Sequence, residues 1–171
     1  MERLILPDIS PVPDVPFSFE SRVIFQLARN KAGLPESGRL GDARVGTEHL
    51  LLYLAHDISV RKILEATEIP ADMVIKELDR YIDHEDDNVP SIDQDGLTPT
   101  VVITIDNAKR LAHREHTRVM PAHLYAGLIE AGRGKALMVL GEFLGFPQDD
   151  REATPLIQQK LFARIPSMRA L

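Results

Sequence analysis

Three clusters of residues have the types and spacing to do chemistry. Gly46-Thr47-Glu48-His49 stands where a loop meets the apolar run Leu50, Leu51 and Leu54, so these four residues open a helix. Backbone N–H groups without intrahelical partners and the positive end of the helix dipole meet there, which makes a site for an anion. The same residues also serve plain helix chemistry, Thr47 as a cap and Glu48 as a favourable charge at the helix start. His113, Glu115 and His116 resemble a metal cluster at helical spacing, but no further ligand follows at a matching distance, so a polar turn accounts for them. Gly132-Arg133-Gly134-Lys135 suggests a phosphate loop; Ala136 then replaces the magnesium-binding hydroxyl, and no glycine precedes Gly134 by five residues. The absence of cysteine removes thiolate nucleophiles and Cys-ligated metals, and no Ser-His-Asp set or paired-carboxylate arrangement stands out among the 26 acidic residues. The expectation is a protein that is not an enzyme, with no catalytic residue, no metal and no cofactor.

Helices must position these groups. Ser18 is an N-cap residue followed by Glu20 and by Val23, Ile24, Leu27 and Ala28 at helical spacing, which predicts a first helix to about Ala32. Gly33, Pro35 and Gly38 break it, and a loop reaches Arg44. A second helix runs from Gly46-Thr47 through Ala55, a third over 60–66 and a fourth over 71–82. Residues 83–96 hold six Asp or Glu with Pro90 and Gly96, and read as an acidic linker. Residues 1–16, with prolines at 7, 11, 13 and 16, form an extended arm carrying a Leu4-Ile5-Leu6 patch, and residues 166–171 are a tail. Propensity alone makes Thr100 to Ile105, TVVITI, a strand.

An internal repeat overturns that strand. Phe17-Ser18, Ala28 and Ala32 recur as Leu97-Thr98, Ala108 and Ala112, all at an offset of 80. His49-Leu50 recurs as His123-Leu124 at an offset of 74, which fits an insertion near 34–38 with a one-residue deletion near Thr117. In this register Thr98 is an N-cap, Pro99 takes the first helical position, and TVVITI lies inside a helix. Two units, 17–82 and 97–165, of about four helices each then bury their apolar faces against one another across a pseudo-twofold axis. The predicted fold class is all-α, with about eight helices.

The stretches FSFESRVIFQLARNKA and LGDARVGTEHLLLYL resemble the Clp amino-terminal repeat, whose capped, alanine-bearing helix is followed by GTEHLLLGL. The second unit matches more weakly, as Met120-Pro121-Ala122-His123-Leu124. The resemblance covers roughly 17–164 and implies a protein-binding module that captures client proteins or adaptors for a Clp ATPase, here expected to act as a stand-alone accessory or regulatory domain, since no ATPase motif is present. It also implies a phosphoarginine site at the first unit: Thr47 and nearby backbone would take the phosphate, Glu48 the guanidinium, and His49 completes the motif. The second unit's Met120, Pro121 and Ala122 lack the hydroxyl and the carboxylate, so its copy, ending at His123, is degenerate. A groove between the units, rimmed by Glu48, is the expected binding surface. The other reading is a regulator that binds an anion or peptide-like ligand without any link to Clp ATPases.

Composition narrows the partners. A net charge of −6 argues against binding nucleic acid through its phosphates, even with Lys109, Arg110, Arg114 and Arg118 grouped on one stretch. No apolar run reaches membrane-spanning length and no signal-peptide pattern opens the chain, so neither secretion nor a membrane is expected, and a cysteine-free chain suits the reducing cytoplasm. No oligomeric state follows from these features.

Overall fold

A computed structural model of the chain describes residues 11–33, 45–83, 96–147 and 151–165. The acidic linker, the 34–44 loop, the tail and the Leu4-Ile5-Leu6 patch lie outside them, apart from the linker's end residues Asp83 and Gly96. Among the described residues the regular structure is helical: α1 Phe19–Lys31, α2 Thr47–Leu54, α3 Ile58–Ala66, α4 Ala71–Asp83, α5 Pro99–Arg114, α6 Pro121–Ala131, α7 Lys135–Phe143 and α8 Thr154–Phe162, the last preceded by a 3₁₀ turn, Arg151–Ala153. The all-α expectation is met.

Local chemistry explains where these helices start. The Ser18 hydroxyl accepts the Ser21 N–H (3.2 Å), Asp57 accepts the N–H groups of Ser59 and Val60 (2.9 and 3.3 Å), and Thr98 accepts that of Val101 (3.4 Å). Each such cap satisfies a donor that the first turn leaves open, and is worth about 1 kcal/mol. The stretch TVVITI lies in the first two turns of α5, with Val101 and Thr104 fully buried and the Thr104 hydroxyl donating to the Thr100 carbonyl (2.9 Å). Burial on a helical face has outweighed β-propensity there.

The two units are tied by crossed backbone pairings that obey the repeat register. Ahead of α1, the Ser18 N–H donates to the Val119 carbonyl (3.0 Å) and the Val119 N–H to the Pro16 carbonyl (2.9 Å). Ahead of α5, Thr98 N–H donates to the Val45 carbonyl (3.0 Å) and Val45 N–H to the Gly96 carbonyl (2.9 Å). Shifting Pro16 and Ser18 by 80 gives Gly96 and Thr98, and shifting Val45 by 74 gives Val119, so the second pairing is the pseudo-twofold image of the first. Each unit lends its entry segment to the other. The end of the N-terminal arm therefore belongs to the fold, with Val15 buried and Pro16 in the pairing.

One core runs through both units: Leu50, Leu51, Leu54, Val60, Leu64, Val74 and Leu78 from the first, and Leu111, Leu124, Leu128, Ile129, Leu140 and Leu161 from the second. α2 touches α6 and α7 as well as α1 and α4. Tyr125 occupies the position that Leu51 fills in the first unit; it is fully buried, its hydroxyl finds no hydrogen-bond partner among the described residues, and burial pushes its pKa up.

Candidate functional site

The first turn of α2 carries the candidate site, and the repeat shows which part of it is frame. In α2 the His49 ring Nδ1 accepts the N–H of Gly46 (3.0 Å), and in α6 the His123 ring Nδ1 accepts the N–H of Met120 (2.9 Å). Both imidazoles thus close the helix start from the third helical position, and both are buried. The His123 ring also meets Glu115 through Nε2 (2.6 Å), which ties one carboxylate of the His113-Glu115-His116 turn to the chain. The histidines act on their own backbone.

What is peculiar to the first unit is Gly46-Thr47-Glu48. All three are buried. Gly46, not Thr47, is the N-cap, with extended backbone (φ −92°, ψ 175°). Thr47 is 2% exposed, and its hydroxyl accepts the N–H of Ala136 across the molecule (3.2 Å). Glu48 is 6% exposed rather than on the surface, and its carboxylate folds back over Gly46, so that any side chain at 46 would collide with it. Its Oε1 lies 3.4 Å from His49 Nδ1. The chain's own carboxylate therefore lies beside the helix start, where the dipole favours its charge.

The Thr47 contact has a physical cause in α7. Gly134 caps that helix and has no side chain to offer, so its first-turn donor at Ala136 has no local acceptor. Gly134 takes φ 102° and passes so close to Thr47 that a Cβ there would stand 2.6 Å from Oγ1. α3, the counterpart of α7, is capped by its own Asp57, and Pro121, the counterpart of Thr47, has no hydroxyl to give. Ala136 is fully buried, so Thr47→Val should leave an orphaned donor and cost about 1–3 kcal/mol, whereas Thr47→Ser should keep most of the stability; thermal unfolding reads the difference.

Electrostatically the corner holds a neutral imidazole among charges. Burial lowers the pKa of His49 below 6.5, with Lys135 and Lys31 acting the same way and Glu48 opposing them. Because the unfolded chain binds this proton more readily, stability should fall as pH drops through 6.5 and level off once the folded state takes the proton too. The slope of the urea midpoint between neutral and mildly acidic pH should be shallower in His49→Gln. Glu130, whose carboxyl is raised by burial, works in the opposite sense and adds stability as pH falls towards the carboxylate range.

One cleft is lined wholly by described residues. This cleft of ≈ 480 Å³ between α4 and α7 does join the two units, but its walls are Met73, Lys76, Glu77, Arg80, Glu142 and Phe143, and Glu48 is not among them. Burial and the nearby Glu77 push the Glu142 carboxyl up. In the second unit Met120, Pro121 and Ala122 replace the first unit's chemistry: Met120 is partly exposed and Pro121 is buried. Sequence reasoning missed the neighbours of the corner, Gly134 and Ala136; the signal was the Gly132–Ala136 stretch, read only as a failed phosphate loop.

A family model described as the Clp repeat (R) N-terminal domain matches residues 17–143. The ATP-dependent Clp protease ATP-binding subunit ClpC of Staphylococcus aureus (strain USA300) is 34% identical over 107 residues, which cover 61% of this chain and 13% of that protein. The subunit of the same name from Staphylococcus saprophyticus is 31% identical over 107 residues, with the same coverage. The chain thus spans a small part of these relatives' length.

Proposed function

Because this chain belongs to the Clp repeat N-terminal domain family, we propose that it is a protein-recognition module of the Clp unfoldase-protease system, binding client proteins, a Clp ATPase or its adaptors as an accessory or regulatory domain. It does so without catalysis of its own, in the cytoplasm. Among the described residues no helix is long and apolar enough to cross a membrane.

The recognition chemistry we assign to the first unit is phosphoarginine binding at Gly46-Thr47-Glu48-His49. The observation that carries it is the Glu48 carboxylate lying over Gly46 at the start of α2. In the free protein that carboxylate lies beside the helix N-terminus, where an anion is favoured. An incoming phosphate takes its place on the backbone N–H groups, and the displaced carboxylate turns to the guanidinium in a bidentate pair. Lys31 and Lys135, whose charges reach His49, add a positive field for the anion. The second unit, with Met120-Pro121-Ala122, has no carboxylate to exchange, so one ligand binds per chain. Calorimetric titration with phosphoarginine should give one site, with affinity about tenfold or more weaker in Glu48→Gln, since charge-assisted bonds contribute about 1.5–3 kcal/mol. Absence of heat, together with unshifted amide resonances at 46–49, would count against this site.

A further inference from the structure

The helices of the two units share a frame, yet the outer face of α1 differs from that of α5. Phe19, Val23 and Leu27 stand four residues apart along α1 and are 69%, 39% and 39% exposed. Residues at this spacing form a ridge of the kind that packs into the groove of another helix. The matching positions of α5 are Pro99, Ile103 and Asn107; Ile103 is half-buried, and Asn107 is buried with its amide donating to the Gly127 carbonyl (3.2 Å). The repeat frame therefore does not require an apolar ridge on the outside of α1. Single exposed apolar residues are ordinary, but three aligned on one helix form a contiguous surface.

Charge says what kind of partner fits. By helical periodicity Arg22 and Arg29, seven residues apart, share one edge of the ridge, and neither makes an ion pair among the described residues. The other edge carries Glu20 and Lys31, the latter paired with Asp79 (3.3 Å). We propose that this face of α1 docks an amphipathic helix of a client or adaptor, its apolar ridge bordered by acidic residues that meet Arg22 and Arg29. A second copy of the chain fits less well, because an antiparallel pair of α1 helices sets arginine edge against arginine edge. The surface rests on the reading of the chain as a protein-binding module, but it is separate from the α2 corner, since α1 turns Ile24 and Ala28 inward and this ridge outward.

The test uses two designed helical peptides of about 18 residues with the same leucine ridge, one with glutamates and the other with lysines along one edge. The glutamate peptide should bind the intact chain about tenfold or more tightly than the lysine peptide, and its amide shifts should map to α1. Val23→Glu should weaken it about tenfold, and Arg22→Glu with Arg29→Glu should reverse the preference, while phosphoarginine titrations and circular dichroism stay unchanged in all variants. Equal binding of both peptides, or shifts that fall elsewhere, would overturn the proposal. So would a concentration-dependent dimer abolished by Val23→Glu, which assigns the ridge to a second copy. Binding that appears only after removal of residues 1–10 assigns it to the chain's own arm, and equally overturns the proposal.

Discussion

Cut between Val89 and Pro90 and expressed as separate pieces, the two units are expected to lose cooperative folding, and to recover it as a one-to-one complex on mixing. Each entry segment pairs with the other unit: Pro16 and Ser18 with Val119, and Gly96 and Thr98 with Val45. Apart from its partner, each unit leaves two of these backbone donors and their acceptors unpaired, together with the faces of α2, α3 and α4 that pack on α6 and α7. Each unit alone also buries a smaller fraction of its surface than the two do together. The second piece keeps the close α5–α6 pair and should retain some helix without a sharp transition. Far-ultraviolet circular dichroism with urea melts of each piece and of the mixture reads this directly. A first piece that unfolds cooperatively alone would mean that 83–96 separates two independent domains, rather than linking two halves of one, as we propose.

The second large effect is expected from a single methyl group, in Gly127→Ala. A Cβ at 127 would stand 2.5 Å from the Thr104 carbonyl oxygen and 3.0 Å from the Ala108 nitrogen, both backbone atoms of α5. Backbone inside a helix cannot step aside as a side-chain tip can, so α5 and α6 must separate. Overpacking of this kind costs about 3 kcal/mol, against which the better helix propensity of alanine returns less than about 1 kcal/mol. The net loss corresponds to a melting point lower by about 4–10 °C. Gly141→Ala is the control, because its Cβ would meet only the end of the Ile157 side chain (2.8 Å), which can rotate, and its melting point should move by much less. In the first unit Tyr53 occupies the position of Gly127, so α1 cannot approach α2 as α5 approaches α6. That difference accompanies the exposure of Leu27 on α1 where its counterpart Asn107 is buried.

Much of this frame was legible in the residues themselves. Caps at Ser18 and Thr98, paired alanines and the offset of 80 placed α1 and α5 against competing β-propensity, because a repeat carries tertiary information that a single window lacks. The repeat showed that His49 and His123 share one place, while the bond by which each ring closes its helix start appeared only in the structure. The burial of Thr47 and Glu48 did not. Thr47 answers to a donor 89 residues away, a need created by the missing side chain at Gly134, and no local pattern encodes that approach. Glu48 defied the ordinary rule that carboxylates face water, because a glycine cap and a helix dipole lie within its reach. The cleft between α4 and α7 was not legible for a related reason: its walls come from both units and meet only when these close on each other.

The central claim, that this chain recognises proteins of the Clp system, is tested most directly by quantitative affinity purification of the tagged chain from its own host cells. The measurement runs beside a folded variant carrying both Glu48→Gln and Val23→Glu. The account predicts that a Clp ATPase, an adaptor or their clients are enriched with the wild type and reduced with the variant. Enrichment of no such protein by a correctly folded chain would contradict it, and enrichment unchanged in the variant would contradict the assignment of recognition to Glu48 and Val23.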